Sequence, residues 1–230
     1  MLIPWPRIVA LASAATLAIL VGTHGIAHAL DRPEVVERSI TATSSAAPRV
    51  VAIGDSIMAG HGLASDQAWL ADLAISNAWN FTNLASDGSG FVTVGNDRDT
   101  FADQAVVAAK LHPDVIIVAA SSNDIGASDT TIDNSTTAVI QRLRAALPSA
   151  TIIAVSAIWG DTDVPGQLAA IDAATLDAAI LADASFVNVG QPLAGRPDLM
   201  QADDVHPTAA GQLVVADAVS AALVTAGLSI

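Results

Sequence analysis

Residues 50–60 read VVAIGDSIMAG, and the fold turns on how this stretch is read. The apolar run Val50–Ile53 stops at Gly54 and is followed by Asp55, Ser56 and then the small residues Ala59 and Gly60. An unbroken Val/Ala/Ile run of this length suits a strand buried on both faces. Gly and Asp are common turn formers, so Gly54-Asp55-Ser56 reads either as a plain turn or as a turn that presents Ser56 as a nucleophile. The serine alone does not choose. A base and an oxyanion site elsewhere in the chain would.

Working outward, the same kind of run recurs at Phe81–Ala85, Val115–Ala120, Ile152–Ile158 and Phe186–Val189. Between the runs lie Ala- and Leu-rich stretches with spaced charges, expected as helices over 66–78, 101–111, 136–147, 167–182 and 208–226. Pro113 and Pro148 close the helices before the third and fourth runs. Strand and helix alternating to the end predict an α/β, three-layer sandwich: a parallel sheet covered on both faces. Sheets of this type bind ligands beyond the carboxyl ends of their strands. Ser56, Gly88, Asn123 and Trp159 all follow such ends.

The composition narrows the partners. With 52% hydrophobic residues in 230, the chain has enough apolar material for one full core, and it shows neither an internal repeat nor a second domain. The net charge of -14, with nine scattered Lys and Arg, argues against nucleic acid. The absence of cysteine excludes disulfides, thiolate metal sites and a cysteine nucleophile. Residues 1–29 have the layout of a signal peptide: Arg7, the apolar stretch 8–22, and Ala27-His28-Ala29 as an A-x-A cleavage site. Export to the outside of the cell is expected, an uncleaved membrane anchor being the alternative. Residues 30–48 read as a polar, flexible spacer, and the folded domain is expected over 49–230.

Of five histidines, His24 and His28 fall in the leader, His61 in the loop just after Ser56, and His112 at the amino end of the third strand. His206, in QADDVHPTAAG, remains as the base, with Asp203 three residues upstream to orient it. Asp204 is the competing acid. A turn brings a side chain three residues back over the ring more readily than one two residues back. An oxyanion site needs donors aimed at developing charge. The backbone N–H groups of Ser56 and Gly88 and the side-chain amide of Asn123 are the candidates, with Gly90 the competitor to Gly88. A metal site at Asp203, Asp204 and His206 is not expected, because no second histidine or acid cluster pairs with them in sequence. Phe91 and Trp159 are candidate substrate-lining residues, Phe91 beside Val92 forming an apolar mouth and Trp159 by its strand-end position, although packing is the plainer role for Trp159.

In this order the pieces resemble the SGNH hydrolases, or GDSL esterase/lipase family: Gly54-Asp55-Ser56, Gly88 in an Asn-x-x-x-x-Gly loop from Asn83, Asn123-Asp124, and Asp203-x-x-His206-Pro207. The resemblance runs from about Val50 to the carboxyl end. It implies a five-stranded, flavodoxin-like parallel sheet. It further implies a Ser56/His206/Asp203 triad with an oxyanion hole of Ser56, Gly88 and Asn123, no cofactor and no metal, and an ester substrate, whether a small molecule or an acylated lipid. An acyltransferase using the same site, or a non-catalytic binding module retaining the fold, are the alternative readings. Two positions depart from the family pattern: Ile57 stands for Leu, and Ser121 stands for the Gly of Gly-x-Asn-Asp, where its side chain is expected to crowd the oxyanion region.

Overall fold

The computed structural model describes residues 46–228. The expected signal peptide and most of the spacer lie outside them. Five strands, β1 (Arg49–Ile53), β2 (Asn80–Asn83), β3 (Val115–Ala119), β4 (Thr151–Val155) and β5 (Ser185–Val187), form one sheet in the order β2-β1-β3-β4-β5. All four pairings are parallel. This is the doubly wound flavodoxin-like order. Six helices accompany it: α1 (Ser56–Ala59), α2 (Trp69–Ser76), α3 (Phe101–Lys110), α4 (Asp129–Ala146), α5 (Leu168–Leu181) and α6 (Ala209–Thr225). Among the described residues no helix is long and apolar enough to cross a membrane.

The sheet separates two cores by the alternation of its side chains. Val51, Ile53, Ile116, Val118, Ile152 and Ala154 face one way, against Phe101, Ile140, Leu143 and Ile171 of α3, α4 and α5. Val50, Ala52, Val115, Ile117, Ile153 and Val155 face the other way, against Trp69, Leu73, Val215 and Val219 of α2 and α6. Burial on both faces is why these strands read as unbroken apolar runs rather than alternating ones. The edge strand β2, Asn-Phe-Thr-Asn, is only partly buried.

Where the elements differ from the sequence reading, capping and turns explain it. Helix α4 begins at Asp129, seven residues before the expected start, because the Ser128 side chain accepts the Thr131 N–H and caps it. The polar run 129–137 hid that turn. Helix α2 begins only at Trp69, after a 3₁₀ turn at Ser65–Gln67. Strand β4 ends at Val155, so 156–158 already belong to the loop at the sheet's edge. The one-turn helix α1 was not anticipated at all.

Candidate active site

Helix α1 is the local device that positions Ser56. Asp55 caps it, the carboxylate accepting the Ile57 N–H at 3.0 Å. Gly60, in the left-handed region at φ 75°, ends it after four residues. Ser56 therefore sits on the first helical residue, at the carboxyl end of the interior strand β1. The turn before it is held tightly. The Gln104 amide accepts from the Gly54 N–H at 3.0 Å and donates to the Gly54 carbonyl at 3.2 Å. A Cβ on Gly54 would lie 2.6 Å from the Met58 sulfur, so glycine is required for strand end and helix to meet. From the other side, the Asn83 amide donates to the Met58 carbonyl and the Gln212 amide to the Ile57 carbonyl.

Ser121 does something other than crowd the site. Its hydroxyl, fully buried, donates to the second oxygen of Asp55 at 2.6 Å and accepts the Asn123 N–H at 3.0 Å. One oxygen atom thus joins the serine turn to the loop carrying Asn123. Burial pushes the Asp55 carboxyl above its ordinary range, and the Ser121 hydroxyl and the N–H groups of Ile57 and Met58 only partly offset this.

The Asn123 side-chain NH₂ donates one hydrogen to the Ser89 carbonyl at 3.0 Å and keeps a second. Its neighbour Asp124 is wholly buried and accepts the N–H groups of Phe91, Val92 and Thr93, which fixes the loop after Gly88. The two candidate glycines now separate. The Gly90 N–H is occupied by the Thr93 carbonyl, and a Cβ there would run into the Asp124 carboxylate at 2.4 Å. Gly90 is thus the close-approach glycine and has no N–H to spare. Gly88 takes φ 76°, and its N–H has no acceptor among the described residues.

The loop before α6 forms the other half. The Asp203 carboxylate accepts the N–H groups of Val205 and His206 through one oxygen and meets His206 Nδ1 at 2.8 Å through the other. Those bonds, the His206 side chain first, hold its carboxyl far below the usual carboxylate range. Asp204 makes no such bond. It takes φ 57°, and this left-handed step is what reverses the chain between acid and histidine. Gln201 braces the loop, its amide donating to the carbonyls of His61 and Pro207.

Two sequence expectations need correction. Phe91 lines no mouth: it is buried, edge-on against Phe101 with ring centroids 4.9 Å apart. The Asp124 bonds that hold its backbone turn the ring into the core. Nor is His206 without a second histidine. His61, flanked by Gly60 and Gly62 at positive φ, stacks on it with centroids 4.0 Å apart, and His61 Nδ1 is paired with Asp87 at 2.5 Å. The pair of flanking glycines was the signal available in sequence for a sharply reversed loop. Trp159 lies near residues adjacent in sequence to Ser56, Asn123 and Asp203. With Ile57, Ser122, Ile158, Asp204 and Val205 it lines a cleft of about 60 Å³, its indole N–H held by Thr162.

The family model described as GDSL-like Lipase/Acylhydrolase matches residues 52–214. The chain belongs to this family. Membership implies hydrolysis of ester bonds in small-molecule substrates. A GDSL lipase of Mycobacterium tuberculosis, Rv0518, is 29% identical over 188 residues, covering 74% of this chain and 79% of that protein. The psychrotrophic esterase EstA from Pseudoalteromonas sp., in a structure inhibited by monoethylphosphonate, superposes with a TM-score of 0.63 at 18% identity, over 77% of this chain and 97% of its own. TesA superposes at 0.61 with 20% identity, over 76% and 97%. These likenesses show that the family's fold is kept here.

The Ser121 link generates a test. Ser121→Ala leaves the buried Asp55 carboxylate and the Asn123 N–H each short of a partner, so stability should fall by roughly 1–3 kcal/mol. The missing hydroxyl favours the ionised form of a carboxyl whose folded-state range is already raised. The variant's deficit should therefore grow as pH rises and Asp55 ionises, and shrink as pH falls. Urea unfolding at pH 5 and pH 8 measures this; a deficit that is absent at both, or larger at pH 5, contradicts the link.

Proposed function

We propose that this protein is a serine esterase that works through an acyl-enzyme. The observation that carries the reading is the Asp203–His206 pair at the same sheet edge as Ser56 and the open Gly88 N–H. In this reading His206 Nε2 takes the Ser56 proton as Oγ attacks the ester carbonyl. Asp203 keeps Nδ1 protonated and steadies the imidazolium. The N–H groups of Ser56 and Gly88 and the remaining Asn123 amide hydrogen hold the oxyanion. His206 then protonates the leaving alcohol, and water removes the acyl group by the reverse route.

A fluorophosphonate probe should label the wild type at Ser56 and leave a folded Ser56→Ala variant unlabelled. In the same series Asp203→Asn should lower kcat by up to about 10⁴-fold, matching the loss on the corresponding serine-protease substitution. Asp204→Asn should cost little. Label at another residue, or an Asp204 defect as large as that of Asp203, would overturn the assignment.

The cleft lined by Ile57 and Ser122, the sequence neighbours of Ser56 and Asn123, supports a reading with short acyl groups. At about 60 Å³ it is far below the roughly 300–1,000 Å³ of sites that swallow drug-sized ligands. Ile57, Ile158, Trp159 and Val205 give it an apolar wall. Across p-nitrophenyl acetate, butyrate, octanoate and palmitate, kcat/KM should peak at acetate or butyrate; a maximum at palmitate contradicts the cleft as acyl site.

Export is also proposed, on the leader-like segment 1–29. The exported protein should begin at Leu30 by amino-terminal sequencing, and recovery only of intact chain from washed membranes would favour the anchor.

A further inference from the structure

His61 ties together the segments that carry Ser56, Gly88 and His206. Its backbone N–H donates to the Ser56 carbonyl at 3.0 Å. Its Nδ1 meets the carboxylate of Asp87, the residue before Gly88, at 2.5 Å. Its ring lies on the His206 ring, with centroids 4.0 Å apart and planes 29° from parallel. Its carbonyl accepts from the Gln201 side chain, which also donates to the Pro207 carbonyl, while the Gln201 backbone N–H donates to the His206 carbonyl at 2.8 Å. Gly60 and Gly62, both at positive φ, turn the chain tightly on either side of it, and a Cβ on Gly62 would lie 2.7 Å from the Gln201 side-chain oxygen.

What His206 needs from a neighbour follows from what Asp203 leaves undone. Asp203 holds one atom of the ring, Nδ1, at 2.8 Å. A single hydrogen bond fixes that nitrogen but lets the ring plane rock about it, because the outer torsion of histidine is broad. A second ring against its face removes that freedom. The exposures agree, since the His206 side chain is only 15% exposed while that of its acid is 42% exposed. The covering ring must itself be held, and Asp87 does this. A carboxylate only accepts, so His61 Nδ1 carries the hydrogen of that bond. We propose that His61 is a positioning residue for His206: clamped by Asp87, its ring fixes the plane of the His206 imidazole and so the direction of Nε2. The ordering claim stands on the ring and hydrogen-bond geometry. Its consequence for turnover rests on the serine-esterase reading, in which Nε2 must point at the Ser56 proton. His61 acts there on the base and not on the ester, so its loss should appear in kcat rather than KM.

Variants at 61 and 87 test this, read by p-nitrophenyl butyrate turnover and by NMR exchange of the His206 Nδ1 proton with water. His61→Ala should lower kcat by about 10- to 100-fold, the scale of a misplaced catalytic group, with KM within about twofold. His61→Phe, which restores a ring but cannot bond Asp87, should recover most of that loss. Asp87→Ala should lower kcat on its own yet cost almost nothing more in the His61→Ala background, since the two side chains act as one unit. The His206 Nδ1 proton should exchange faster in His61→Ala than in the wild type, and at close to the wild-type rate in His61→Phe. Unaltered exchange in folded His61→Ala would overturn the ordering claim. Equal kcat losses in His61→Ala and His61→Phe, or additive losses for Asp87 and His61, would overturn the positioning role in turnover. Should His61→Ala not fold, Asp87→Ala carries the test, and unchanged kcat and exchange there overturn the clamp. A wild type that hydrolyses no ester, with the exchange difference present, would count against the esterase reading alone.

Discussion

The buried Asp55 carboxylate is the constraint around which the functional edge is organised. One oxygen caps the helical turn that starts at Ser56, and the other receives the Ser121 hydroxyl. An ionised carboxylate at 6% exposure is costly unless every lone pair is used. The surroundings therefore supply donors from two separate loops, and those loops are fixed relative to each other as a result. Asp124 does the same job one layer out, gathering three consecutive N–H groups from residues 91–93. Two buried acids, neither of which touches the candidate reacting atoms, thus set the frame in which Ser56, Gly88 and Asn123 stand.

Much of this was legible in sequence because the strands are buried on both sides. Runs such as VIIVA at 115–119 admit few other readings, and the order of strand and helix fixes the layers. The candidate site residues were legible as residue types, most of them at strand ends, and the Asp203–His206 spacing carried its own geometry. What stayed hidden depended on contacts between distant segments. Ser121 looked like an intrusion because its partner, Asp55, lies 66 residues away. Phe91 looked like a mouth because nothing in FVTV says which way the ring points; Asp124 decides that. His61 looked like a loop residue because the one-turn helix before it was not foreseen, and that turn is what swings it onto His206.

The histidine pair also shows how the loop before α6 is supported. Gln201 links the His61 and Pro207 carbonyls, and the His61 ring covers one face of His206. The His206 ring is thereby confined between Asp203 and a second ring, while Asp203 stays partly in water.

The cleft wall at 158–162 is built differently from everything around Ser56. Its backbone is tied to Gln191 and its indole to Thr162, and none of those bonds reaches Asp55, Ser121 or Asn123. The hydrogen bonds that hold this wall are separate from those that hold Ser56 and Asn123, although Ile158 shares a core with Ile57 and Met58. Exchanging residues at 159–162 can therefore reshape the cleft while leaving the Asp55–Ser121 and Asp124 networks as they are.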